Sequence, residues 1–415
     1  MLNTFLAIFG IDTDVLIYYP SVLILFILGI SYAFNFNSKI STTIKTATLF
    51  LCYLLFSAFL YNINRTPFNC YLFSILQTIF PFLFIYLGYY YSDDDVYNKW
   101  FLYGCAFCFI VGLIFYFTTP PFYVHYLANL RDVSWYSDMA ADENTIMAAF
   151  RFSALFGDSY SVSYFSVPAL VLSLSSTINH RIKIKKGVVY IFVLASFVSA
   201  ILCQQRIAIA FALFTPLFYA LLSIRKGFGF RLLLIYFALI ILIIVALNVI
   251  SNLDRFVIIK ENVVDRFLNL NFKDAMSERT DQYSSFSRQT DWSLFIGLGL
   301  GSCGGYARAA GLSGITDGWF VKTFYESGII GIFLFASVII PTILRAINKI
   351  KLFDVELLII GFFLAACLGA DALSATIPSS IFWYCVGRIW NPRYMGNLRN
   401  MSLKNKYNFD GDKQQ

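Results

Sequence analysis

Histidine is nearly absent, with only His125 and His180 in 415 residues. That excludes a histidine-rich zinc constellation, which needs several nitrogen or sulfur ligands converging. There is no GxSxG elbow and no well-placed histidine base, so serine-hydrolase chemistry is excluded too. Charge is also scarce, at 13% of residues, against about 25% in soluble domains. The eight cysteines form no ligand set. Cys105 and Cys108 are spaced as a CxxC but lie inside an apolar run without a second pair, and Cys70 and Cys303 are the two expected to face outside. Gly297-Leu-Gly-Leu-Gly301 lacks the Lys-Ser/Thr of a phosphate-binding P-loop and reads as a flexible turn.

What the chain has in abundance is apolar surface. Hydrophobic residues make up 59% of it, and the mean hydropathy is +0.69. This composition predicts an all-α, polytopic integral membrane protein. Apolar windows fall near 16–34, 42–60, 69–91, 99–118, 160–179, 188–204, 207–224, 231–250, 318–342, 355–370 and 373–390. They predict about eleven transmembrane helices (10–12) within a single membrane domain, 1–390. Met1–Gly10 has no basic stretch of the kind that opens a cleavable signal peptide, so the first span is expected to act as an uncleaved insertion signal.

Basic turns at 180–186, 225–231 and 345–351, and the tail after Arg388, all fall on one side of this arrangement. The positive-inside rule makes that side the cytoplasm. The +7 net charge therefore reports orientation and does not point to nucleic acid. The longer segments, 119–159 and 251–317, are then periplasmic loops, and long loops in compact architecture are usually functional. Short helices are expected at 137–150 and 262–276, and residues 391–415 read as a solvated cytoplasmic tail.

Three arginines, Arg151, Arg206 and Arg288, stand at the ends of apolar runs. Charges near the bilayer usually face a partner or a wet cavity, and a guanidinium fork matches phosphate in a bidentate way. Arg206 could instead snorkel to lipid headgroups from a short hairpin loop. Asp317 and Glu326 flank the start of another span, ~13 Å apart on a continuous helix. Asp317 also suits a helix N-cap, and Glu326 an interhelical hydrogen bond. Tyr160, Trp292, Tyr306 and Trp319 suit sugar stacking or an interfacial aromatic belt.

Arg151-Phe-Ser-Ala-Leu-Phe-Gly157-Asp158, Gln204-Gln-Arg206-Ile-Ala208 and Ser287-Arg288-Gln-Thr-Asp-Trp292 carry a resemblance, continued through Gly297–Gly301 and Asp317–Gly331. Over roughly 150–331 the chain resembles the O-antigen polymerase (Wzy-type) family, within the group that includes O-antigen ligases. It departs from the ligases in having no histidine after residue 180, where they carry one in the large outer loop. A lipid-linked oligosaccharide flippase, the other alternative, should show repeated halves.

The resemblance implies a glycosyltransferase of lipopolysaccharide biosynthesis in the bacterial inner membrane, joining undecaprenyl-pyrophosphate-linked repeat units on the periplasmic side. Donor and acceptor would both be such lipids, with no cofactor or metal and with a chain-length regulator as a membrane partner. Arg151, Arg206 and Arg288 would grip the pyrophosphate. Asp317 and Glu326 would be the catalytic carboxylates, and Tyr160, Trp292 and Trp319 would meet sugar.

Overall fold

A computed structural model describes residues 27, 41–59, 68–91, 94–118, 120–123, 151–156, 158–179, 182, 184–223, 291–304, 307 and 318–397, and among them every regular element is helical. Expected spans 16–34 (apart from residue 27) and 231–250, most of both long loops, and the short helices expected within those loops lie outside the described residues. The helices gather into two compact units: a middle unit within residues 94–270, and a split unit built from residues 22–93 and 271–415.

The middle unit holds α4 (Asp94–Thr118), α5 (Ser159–Asn179), α6 (Lys186–Leu202) and α7 (Arg206–Ser223). Helix α5 packs against the other three. It can do so closely because its buried positions include Ser159, Ser163, Ser166, Ser173 and Ser176, and small residues let membrane helices approach. Four of those hydroxyls donate to carbonyls of their own helix, Ser163 to Tyr160, Ser166 to Ser163, Ser173 to Ala169 and Ser176 to Leu172, so their burial leaves none of these donors unpaired.

The split unit holds α1 (Thr42–Phe59), α2 (Phe68–Phe82), α3 (Phe84–Tyr90), α8 (Asp291–Ile296), α9 (Trp319–Asn348), α10 (Asp354–Ala366) and α11 (Pro378–Trp390). Helices α3 and α11 cross on glycine. A Cβ at Gly88 would overlap the Tyr384 carbonyl oxygen, and one at Gly387 would overlap that of Ile85.

Two helices, Tyr97–Thr118 and Trp319–Asn348, are long and apolar enough to cross a membrane, yet only 39% of the most apolar window of each is buried. A soluble core helix would bury most of such a window. Instead Tyr103, Phe107, Ile110, Ile114 and Phe117 are exposed along α4, and Phe333, Ile340, Leu344 and Ile347 along α9. Steps of three, four and seven put each set on one helical face.

The helix ends also fall close to the windows read from sequence, except at the tail. Residues 391–397, expected to be solvated, pack onto the split unit. Asn391 and Tyr394 are buried, and the Asn391 amide donates to the Gly88 and Tyr91 carbonyls at 3.2 and 2.8 Å. The polar side chain finds two orphan acceptors at the end of α3, which composition could not reveal.

Candidate functional site

In the middle unit, residues 151–156 form an extended stretch and turn ahead of α5. The Phe152 N–H donates to the Leu202 carbonyl at 3.2 Å, docking the stretch onto the end of α6. The Phe152 ring is buried beside Tyr116, with centroids 5.4 Å apart. Ala154, buried at φ 49°, presses against the bare α-carbon of Gly112, and its carbonyl accepts from the Tyr123 hydroxyl at 2.8 Å. Asp158 caps α5 by accepting from Ser161 N–H at 2.7 Å.

That docking sets Arg151 beside the turn from α6 to α7. Gln204, buried with φ 56°, reverses the chain there, and Gln205 Nε2 donates to Ser159 Oγ at 3.2 Å. Arg206 then opens α7 as its first residue, exposed, while Arg151 is half-buried. Neither guanidinium has an acidic partner among the described residues. A cation in a first helical turn opposes the helix dipole. Two guanidinium groups without an acidic partner among the described residues thus stand at one end of the unit. Tyr160, 46% exposed in the first turn of α5, stands at the same end.

In the split unit, α9 is broken at Gly328, whose φ of 64° and ψ of −168° are open essentially only to glycine. The glycine turn 297–304 docks into the break. Leu298 N–H donates to the Tyr325 carbonyl and Gly299 N–H to that of Glu326, both at 2.9 Å. The Tyr53 hydroxyl reaches the Ser327 carbonyl at 2.7 Å, and Ser57 Oγ the Glu326 carbonyl at 3.1 Å. Carbonyls 325–327 are thus all satisfied by protein donors, as a buried helix break requires. Gly297 and Gly328 permit the approach, because a Cβ on either would overlap the other segment's backbone.

Glu326 lies 3% exposed next to this break. Its Oε1 accepts from Gly301 N–H at 2.9 Å. One helical turn earlier, buried Lys322 donates from Nζ to Asp371 Oδ2 at 2.8 Å and to Ser374 Oγ at 2.9 Å. Cys303 sits against the Lys322 carbonyl, its thiol pushed well up by burial first and by the Glu326 carboxylate second. A small cavity follows, walled by Phe50, Phe82, Trp319, Trp383, Leu300 and Glu326. The space open to a water centre is about 10 Å³, near the minimum for one water.

The remaining expected residues divide. Trp292 on α8 is 80% exposed, whereas Trp319 is buried with its ring 4.7 Å from that of Phe335. The N-cap position of α9 belongs to Gly318, and the Trp319 N–H is taken up by the Cys367 and Ala370 carbonyls. Arg288, Tyr306 and Asp317 lie outside the described residues. Lys322 and Asp371 were not anticipated. The signal was a lysine four residues before a glutamate in one apolar run, and a lone aspartate between two others.

No family model matches the chain, and neither a curated protein nor a solved structure does.

Proposed function

We propose that the chain is a polytopic membrane glycosyltransferase using a lipid-pyrophosphate-linked oligosaccharide as donor. It spans the bacterial inner membrane about eleven times, with segments 119–159 and 251–317 on the periplasmic side and basic turns in the cytoplasm. Within that class our reading is an O-antigen polymerase, which joins undecaprenyl-pyrophosphate-linked repeat units. The observation that carries it is the docking of Phe152 on Leu202, which sets Arg151 beside the turn that presents Arg206. The motif resemblance supplies the substrate class and gives Arg288 the same pyrophosphate-binding role.

In the reaction the acceptor's hydroxyl oxygen bonds to the donor's anomeric carbon. The bond from that carbon to the pyrophosphate oxygen breaks, and the pyrophosphate keeps the electron pair. Fixed guanidinium charges stabilise the negative charge that develops there, commonly the largest catalytic contribution. Holding two lipid-tethered chains in register supplies much of the rest. The hydroxyl proton passes to a carboxylate, a role we give to Asp317 because Glu326 is enclosed. Tyr160 and Trp292 offer exposed rings to sugar. A chain-length regulator would bind alongside.

Deleting the gene and resolving lipopolysaccharide on a gel tests this. The expected pattern is lipid A-core carrying a single repeat unit. Complete loss of O-antigen would instead indicate a ligase or flippase, and unchanged ladders would overturn the reading.

A further inference from the structure

We propose that Glu326, Lys322 and Asp371 are positioning residues that fasten the glycine turn 297–304 to the broken helix α9. Glu326 then serves the site by holding backbone in place and does not take a proton from substrate. What the fastening serves rests on the polymerase reading; the fastening itself rests on contacts within the split unit.

The turn and the helix meet residue by residue. Leu298, Gly299 and Gly301 each commit a backbone N–H to Tyr325 or Glu326, and the Gly301 donor goes to the Glu326 carboxylate itself. Leu300, 1% exposed, closes over the same spot. Glu326 is 3% exposed and its Oε1 is taken by the Gly301 N–H, so the enclosed carboxylate is directed at backbone.

Lys322 completes the device. It lies one turn before Glu326 on the same face of α9, and its ammonium is held by Asp371 and Ser374 in the segment after α10. A buried carboxylate is costly without a cation in reach, and the Lys322 ammonium, paired with Asp371 at 2.8 Å, also acts electrostatically on buried Glu326. The Trp319 N–H ties the start of α9 to the same segment through the Cys367 and Ala370 carbonyls. Together these bonds set where the second outer segment returns to the helices. That segment carries exposed Trp292 on α8, and Arg288 precedes α8 by three residues.

Cys303 provides a direct readout, since it is buried inside the fastened turn at 5% exposure. Full-length protein in membranes is treated with a maleimide, and Cys303 modification is read by peptide mass spectrometry beside polymer length on a gel. Glutamine at 326 still accepts from Gly301 N–H and alanine does not. Glu326→Gln should therefore keep Cys303 protected. Glu326→Ala, Lys322→Met and Asp371→Asn should raise its labelling about tenfold or more, as expected when a charge-assisted buried bond is lost. Asp371→Glu, which keeps the ion pair, should restore protection and offers a second variant if Lys322→Met fails to accumulate. Polymer length should follow protection across the series. Glu326→Gln with Cys303 protected and no polymer would assign the carboxylate to proton transfer and overturn the proposal. So would full-length polymer from a variant whose Cys303 is open. If the wild-type gene fails to restore polymer to a deletion strain, the polymerase reading falls, while the labelling series still decides the fastening.

Discussion

Arg206 opens a helix whose dipole repels it, and Arg151 is brought to the same turn by one backbone hydrogen bond. Each guanidinium should contribute through charge-assisted hydrogen bonds of ~1.5–3 kcal/mol. At ~1.4 kcal/mol per tenfold, Arg206→Ala should slow polymer formation by roughly 10- to 100-fold. Arg206→Lys should recover part of that, since lysine keeps the charge and loses the planar fork. Polymer length and yield on a gel, with protein level checked by blot, measure both. A lysine variant equal to wild type would show that charge alone suffices. The arginines were legible in the sequence because a charge at the end of an apolar run is conspicuous. The Lys322–Asp371 pair was not, because its members stand 49 positions apart and nothing in either neighbourhood names the other.

Helices follow from apolar windows of helical length, so their positions were readable; the break in α9 was not. Gly328 sits in an apolar run that continues on both sides, and only the docked turn explains why the helix stops there. The 20 residues from 329 to 348 alone reach ~30 Å, the thickness of a hydrocarbon core. The break thus falls at the end of a complete span. Gly328→Ala should destabilise by about 1–3 kcal/mol from its backbone conformation alone, and more from overlap with the Phe295 carbonyl. The mid-helix Gly361 in α10 is the contrast, because nothing lies within 4 Å of a Cβ there. Gly361→Ala should be neutral or stabilising by about 0.5–1 kcal/mol. Thermal melts in one detergent would compare the two. Equal midpoints would mean that the break is not needed.

At the scale of the molecule, orientation is the premise of the proposed chemistry. Reporter fusions at 135 and 275 should report outside the cytoplasm and one at 410 inside it. A cytoplasmic signal from 275 would remove the second outer segment from the side where the lipid-linked sugars meet. Composition made the all-helical, apolar architecture legible, and basic turns gave the expected direction. Neither could show that segments 22–93 and 271–415 belong to one unit while 94–270 belongs to another. The crossing of α3 and α11 on Gly88 and Gly387 carries a consequence for biosynthesis. The Gly88 carbonyl awaits an Asn391 amide made 303 residues later, on the order of 15–60 s at ~5–20 residues per second. For that interval α3 exists without α11, its glycine notch uncovered and the Gly88 and Tyr91 carbonyls without the Asn391 amide. The α3–α11 crossing can thus close only once residue 391 has been made, near the end of synthesis.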